Sequence, residues 1–518
     1  MRKLNRGQQC IIFNVLSKIQ NNERFDIFLS GGSGVGKSRV LQAIYQSVIR
    51  YYHSNQDPIH NIAVIGAYTG KAAFNVGGLT LHSLFHLPTK QGPGRIPPLS
   101  SAILMKCREN YKFTLLFIID EISLVGSKIF ASILSRVHQI TEVRESGNLK
   151  VSFLVVGDFA QLKPVLDKWI FENKGFSNPI SKIVGPEHWK DFKMFELTEI
   201  MRQREDKLFA ETLRVIGDQG IEFCSKEQIQ MLDSRIKPGL EEIPDDTIIL
   251  CFSNQKVREF NRKRIENCGL EIIENRACDY AEGKDCNTNI AKRTVESCRN
   301  LSMEDANNLP YKILFVIGKK YMLTTNLKTS DGLAHGNVGR LMKIIYHKGN
   351  SKPHRTLVKR VYLLFSDPNI GERTRATNKH QLKDRAEDSW TVIEIQDICL
   401  KNPKYKNYDF HVNRLQLPLV ECEAMTIHKS QGQTYESVAV YIGDHLNQQL
   451  MYVALSRATS LEGLHLFGET TILRNKLTAK KLEALKEYRS IGKAKEEMKR
   501  LREYSLLENK FPFIFTGK

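Results

Sequence analysis

The sequence predicts an α/β fold in which a parallel sheet carries its ligand at the carboxyl edge, and three observations point to it. Four strand-length apolar runs, Phe25 to Leu29, Asn61 to Ala67, Phe113 to Ile119 and Val151 to Val156, are separated by stretches with helical spacing. Each run gives way to a polar loop, the place where open α/β sheets bind ligands. The first loop reads Gly31-Gly32-Ser33-Gly34-Val35-Gly36-Lys37-Ser38, which satisfies G-x-x-x-x-G-K-[ST] in the strand, loop, helix order that a phosphate cradle needs.

In chain order, Leu4 to Ile19 has apolar positions at helical spacing with Asn5 as its cap, so a helix precedes the first strand. Gln8 lies on it, where its amide could meet an adenine edge or could be an ordinary exposed glutamine. In the glycine-rich loop the backbone can turn tightly and aim its N–H groups inward. Lys37 then reaches the β- and γ-phosphates of a nucleoside triphosphate, and Ser38 holds Mg²⁺. The second strand leads into Tyr68-Thr69-Gly70-Lys71 and then Thr80-Leu81-His82. These are hydroxyls and cations suited to phosphate contacts, or simply a strand-to-helix turn. Pro88 to Pro98 is too rich in Pro and Gly for helix or strand and reads as a surface loop. The third strand ends in Asp120-Glu121: Asp120 can hold Mg²⁺, and Glu121 can polarise the attacking water. After the fourth strand, Gln161 in Gly157-Asp158-Phe159-Ala160-Gln161 could report the γ-phosphate. That order of loops fits a RecA-like nucleotide-binding domain.

Lys and Arg number 76 against 57 Asp and Glu, a net charge of +19, so the surface should attract a polyanion, with nucleic acid the first candidate. No apolar run approaches the roughly 18 residues of a membrane span, and the start MRKLNRGQQC has no apolar signal core. Ten cysteines without a C-x-x-C pair point to free thiols in a reducing compartment, and the gaps among Cys268, Cys278, Cys286 and Cys298 are wider than zinc-ligand pairs use.

The motifs GGSGVGKS, AYTGKAAF, GGLTLHSLF, IIDEIS, GDFAQLKPV, LTEIMRQ, IHKSQGQT and YVALSRAT occur in that order across residues 4 to 467. In this the sequence resembles the PIF (petite integration frequency) helicases of superfamily one, closest to those carried by Helitron transposons. Leu124 and Lys163 depart from the family's usual D-E-I-S-M and Q-L-P-P-V without removing a catalytic group. The resemblance implies two RecA-like P-loop NTPase domains, the first over residues 1–200 and the second over 201–312 and 417–518. A β-rich, Src-homology-like barrel is implied at 313–416, with Asn326 and Gly336-Asn337 near its entry. The short apolar runs ILFVI, YMLTT, RLMKII, RVYLLF and WTVIEI also read as strands.

The resemblance further implies γ-phosphate contacts from Arg202, for which an interdomain salt bridge is the alternative, and from Arg457, on or just after a helix. In the stretch from Ala424 to Thr434 it implies that Thr426, His428 and Lys429 face the nucleic-acid strand and that Gln431 and Gly432 face the nucleotide. Thr69, Gly70, Lys71, Thr80 and His82 join the strand-facing set. Thr247 to Phe252 and the helix after Asn254 open the second domain. Residues 266–311 show little periodicity and read as a surface excursion. The basic stretch beyond 470 reads as an amphipathic helix packed on one face, with a nuclear signal or protein contact as alternatives.

The expected protein is a monomeric ATP- and Mg²⁺-dependent helicase moving on single-stranded and duplex-junction DNA, 5′ to 3′ by resemblance, with RNA as a further substrate and no membrane association. The expected location is the nucleus, with the mitochondrion, or the cytoplasm of a virus-infected or bacterial cell, as alternatives. The rival readings are a translocase that does not unwind and a non-catalytic DNA-binding subunit.

Overall fold

The computed structural model describes residues 4–53, 61–88, 97–141, 150–165, 167–172, 188–201, 206–347, 358–378, 385–401, 408–443, 446–469 and 486–508. The loop predicted around Pro88 to Pro98 falls mostly outside these residues, as does Arg202. The chain forms two compact units, one of residues 1–246 with 430–518 and one of 247–429.

The first unit holds a six-stranded sheet, β1 (Asp26–Gly31), β2 (Ala63–Ala67), β3 (Leu79–Thr80), β4 (Leu116–Asp120), β5 (Ser152–Gly157) and β6 (Lys193–Leu197), in the order β3-β2-β4-β5-β1-β6. All five pairings are parallel. The four predicted strands form its middle; β3 and β6, too short or too polar for the apolar pattern, close its edges. Side chains alternate between two cores, as the pleat requires. Ile27, Leu29, Leu116, Ile118, Leu154 and Val156 point to one. Phe28, Phe117, Ile119, Phe153 and Val155 point to the other. On the first side lie α1 (Arg6–Gln20) and α2 (Lys37–His53). Asn5 caps α1 in a capping box completed by Gln8, satisfying backbone donors that the helix start leaves open.

The second core is sealed by the C-terminal helix Lys486–Glu508, which contributes Ala494 and Leu501. Glu497 accepts the Trp189 indole N–H at 3.0 Å, the Ser505 hydroxyl accepts the Met194 N–H of β6 at 2.9 Å, and Arg502 pairs with Glu196 at 2.6 Å. An edge strand whose N–H would face solvent is thereby covered. The helix does pack on one face, and that face belongs to the core of the sheet carrying the glycine-rich loop. Strands β19 (Val438–Ile442) and β20 (Leu464–Gly468) pair in parallel in the same unit.

In the second unit, β7 (Ile248–Cys251) pairs in parallel with β18 (Ala424–Thr426). An antiparallel sheet of five strands has the order β14-β13-β12-β11-β17: Trp390–Glu394, Val358–Phe365, Val338–Tyr346, Lys320–Leu323 and Leu419–Glu421. Four of its strands lie within residues 313–416, and Leu419–Glu421 lies just beyond them. Residues 266–311 are not a structureless excursion. Cys278–Gly283 pairs with Phe410–Gln416, Ile273–Arg276 pairs with Lys312–Phe315, and Asn289–Cys298 is a helix. What binds them is polar and leaves no apolar periodicity in the sequence. Arg414, fully buried, holds Asp279 with Nε to Oδ1 at 2.7 Å and Nη2 to Oδ2 at 2.8 Å, a bidentate pair.

None of the ten cysteines forms a disulfide. Among the described residues no set of three or more His, Cys, Asp and Glu is placed to hold a metal, and no helix is long and apolar enough to cross a membrane.

Candidate active site

The carboxyl ends of β1, β4 and β5 bring the predicted nucleotide residues together. Gly34 and Gly36 take φ of 83° and 84°, a left-handed backbone that glycine adopts freely. A Cβ at Gly31 would stand 2.7 Å from Val35 Cγ2 and 2.8 Å from the Leu197 carbonyl oxygen, so only glycine fits there. Lys37 donates to the carbonyl oxygens of Gly31 at 2.6 Å and Gly32 at 2.9 Å, holding its ammonium at the mouth of the loop. Ser38 follows it, exposed, in the first turn of α2.

Gln8 is buried rather than exposed. Its Oε1 accepts from Asn5 N at 3.1 Å and its Nε2 donates to the Val35 carbonyl at 2.9 Å, while a Cβ at Gly36 would meet that Nε2 at 2.7 Å. In this structure the amide therefore buttresses the glycine loop from behind.

Asp120 ends β4 and Glu121 turns out of it at φ 54°, a left-handed conformation uncommon for a non-glycine residue. The two carboxylates are adjacent, Asp120 buried and Glu121 partly buried. Burial, reinforced by the charge of Glu121 and opposed by Lys37, pushes Asp120 up to about 7. Burial also raises Glu121, with Lys37 and Arg457 pulling the other way. Two neighbouring carboxylates, one buried and one partly so, beside a single lysine make a site short of positive charge, the chemistry of a place for a divalent cation. Asp120 and the Ser38 hydroxyl are the groups that would hold Mg²⁺ there, and the ion would supply positive charge to a bound phosphate.

The C-terminal part of the first unit completes this edge. Gln431 donates from Nε2 to Gln161 Oε1 at 3.4 Å, and Gly432, at φ 74°, is seated so that a Cβ would lie 3.3 Å from Glu121 Oε1. Arg457, two residues beyond the helix Gln448–Leu455, is 2% exposed, and its Nη2 donates to the Ser33 hydroxyl at 3.4 Å. Its other donors are fixed by the carbonyls of Val453 at 2.8 Å and Gln433 at 2.9 Å. Lys37, Asp120, Glu121, Gln161, Gln431, Gly432 and Arg457 thus occupy one edge of one unit.

Two descriptions of known families match the chain: PIF1-like helicase over residues 3–220, and viral superfamily 1 RNA helicase core domain over residues 258–467. The ATP-dependent DNA helicase Pif1 of Campylobacter jejuni is 27% identical over 475 residues, which cover 89% of this chain and 92% of that protein. Over residues 3–220 the chain is similar to the PIF1-like helicases. The human ATP-dependent DNA helicase PIF1 is also 27% identical, over 447 residues covering 85% of the chain; the chain spans only 57% of that relative's length. The fold is that of the Candida albicans Pif1 helicase crystal structure, with a TM-score of 0.62 at 21% identity, covering 97% of this chain and all (100%) of that one. A Bacteroides Pif1 bound to ssDNA gives 0.60 at 21% identity, covering 89% and 92%. The α/β architecture with two RecA-like domains follows from this likeness.

The predicted strand-facing residues divide between the two units. In the first, Thr69 caps the helix Gly70–Asn75, which contains Lys71, by accepting the Ala72 N–H at 3.2 Å. Thr80 caps the next turn and donates to the Ser83 hydroxyl at 2.9 Å. The His82 ring lies 5.8 Å from that of Tyr68, and burial lowers its pKa. In the second unit, Thr426 ends β18 and its hydroxyl accepts the Lys429 N–H at 3.4 Å, while His428 and Lys429 are exposed at the turn. In the same unit, Asn326 accepts the His335 N–H at 2.9 Å and buried Asn337 donates to the Gly332 carbonyl at 2.6 Å.

Sequence reasoning gave no role to Tyr452 and Asp158. Both lie inside quoted motifs, and their partners are 419 and 294 residues apart in the chain, beyond any local pattern.

Proposed function

We propose that this chain is an ATP-dependent DNA helicase that couples hydrolysis at the Lys37 loop to movement along single-stranded DNA and unwinding of duplex. The observation that carries the reading is the approach of the Arg457 guanidinium to the Ser33 hydroxyl, 3.4 Å apart, which adds a cation from the last motif to a glycine cradle near residue 30. Lys37 and Arg457 bear the charge that develops on the transferred phosphoryl group, with Arg202 as the second arginine. Glu121 polarises the attacking water, and Gln161 with Gln431 reports the state of the γ-phosphate. Mg²⁺, when bound at Asp120 and Ser38, neutralises phosphate charge. Gln8 supports the cradle and, through its remaining amide capacity, the base.

Thr69, Gly70, Lys71, Thr80, His82, Thr426, His428 and Lys429 hold the strand through its phosphates, without reading sequence. Movement is 5′ to 3′, the protein acts as a monomer, and its place is the nucleus or another compartment that holds DNA. The match of residues 258–467 to an RNA helicase core favours a second reading, RNA as the track. ATP turnover with and without single-stranded DNA or RNA, followed by strand separation on duplexes with a single tail of either polarity, tests both. Turnover without separation on any tail removes the helicase reading and leaves a translocase. Turnover on RNA alone replaces DNA.

A further inference from the structure

The Tyr452 hydroxyl has partners on two separate motifs. It accepts the backbone N–H of Ser33 in the glycine loop at 2.8 Å and donates to Asp158 Oδ2 at 2.9 Å. The same carboxylate oxygen accepts from Gln161 Nε2 at 3.2 Å, and Gln161 Oε1 in turn accepts from Gln431 Nε2 at 3.4 Å. Asp158 is itself fixed, its Oδ1 taking the Ala160 N–H at 2.9 Å.

The seat of the ring is shaped for it. A Cβ at Gly217 would stand 3.0 Å from the ring, and one at Gly32 would stand 3.3 Å from the hydroxyl. Tyr452 is 4% exposed; burial and the Asp158 carboxylate raise its pKa well above the usual phenol range, so it stays protonated and remains a donor. Hydrogen bonds in so dry a site are stiff, and each end loses a partner if the middle is removed.

We propose that Tyr452 is a positioning residue for ATP hydrolysis: its hydroxyl ties the glycine loop at Ser33 to the carboxylate that aims Gln161, so that the state of the loop sets the direction of Gln161 and of Gln431 beyond it. This rests on the ATP-hydrolysing reading above. Tyr452 itself touches no phosphate in this scheme. Its effect falls on the aim of a group that matters during the chemical step, and therefore on kcat rather than on ground-state binding of ATP.

The test is Tyr452→Phe in the full chain, which keeps the ring against Gly217 and removes only the hydroxyl. The expected result is a kcat for ATP lower by roughly 10- to 100-fold, with KM within about twofold of wild type. Gln161→Ala should lower kcat as well, and the double variant should be no slower than Gln161→Ala alone, because the two act through one chain of bonds. Asp158→Asn, which keeps the size of the side chain, should reproduce the loss and serves if Tyr452→Phe does not fold. An unchanged kcat, a rise in KM alone, or multiplicative losses in the double variant would overturn the proposal. A wild type without ATP turnover overturns the functional reading and this inference with it. An active wild type with an unaffected Tyr452→Phe overturns this inference alone.

Discussion

Lys37 donates its ammonium to the carbonyl oxygen of Gly31, 2.6 Å away, so the cation expected to meet phosphate is already held by the loop that forms the cradle. Little reorganisation is then needed when an anion arrives, which is the condition under which a fixed charge stabilises a transition state most. Lys37→Ala should lower ATP turnover at least ~100-fold. The lost bonds are at a partly exposed site, so the melting temperature should move by only a few degrees. Steady-state turnover beside a thermal melt checks both. Turnover within twofold of wild type would refute the assignment of this loop.

Asp26, at the start of β1, is pushed up to about 7, first by burial, with Arg24 and the Phe153 N–H opposing. Between about 4 and 7 the folded chain keeps a proton there that the unfolded chain has released. The contribution of this group to stability therefore falls as pH rises through that window. His188, whose Nε2 lies 3.3 Å from Asp26 Oδ2, is held down at about 4 by burial and by Arg24 and His138, so it stays neutral when folded. Asp26→Asn mimics the protonated carboxyl. Relative to wild type it should gain about 2 kcal/mol between pH 5 and pH 8. Denaturant melts at the two pH values measure the change, and an unaltered or reversed difference would refute it.

The middle of the first sheet was legible because its strands are continuous apolar runs buried on both faces, and because Lys37, Asp120 and Gln161 sit just where such runs end. β3 was hidden by its length of two residues, with Leu79 half exposed. β6, KMFEL, mixes charge with apolar residues and is completed by the C-terminal helix some 300 residues later. Residues 266–311 were misread because their anchors are polar. Asn275 donates to Gln416 at 2.8 Å, and Arg414 to Asp279, and neither pair leaves a periodic trace. Tyr452 escaped for the same reason: a hydroxyl gains its meaning from two partners that only the tertiary fold supplies.

The C-terminal helix carries more stability than its basic, exposed-looking sequence suggests. Leu501 is 0% exposed in the core that also holds Trp189 and Phe130. Leu501→Ala should destabilise the first unit by about 2–5 kcal/mol, the sum of lost burial and the cavity left behind. Denaturant titration followed by Trp fluorescence reads this directly. A cost below about 0.5 kcal/mol would mean that the helix is held only by its surface pairs, such as Arg502 with Glu196.

Lys429 stands next to His428 at the exposed turn after β18, in a chain of net charge +19. If it neutralises a phosphate on the strand, binding releases a counterion from the nucleic acid, and the logarithm of affinity falls linearly with the logarithm of salt. Lys429→Ala should then weaken single-stranded DNA binding to a similar degree on every sequence and make the salt slope shallower by about one phosphate's share, roughly 0.7. Fluorescence anisotropy of labelled oligonucleotides across a salt series measures slope and intercept together. A weaker affinity with an unchanged slope would mean that Lys429 shapes the turn, through its N–H to Thr426, and leaves the phosphate to other cations.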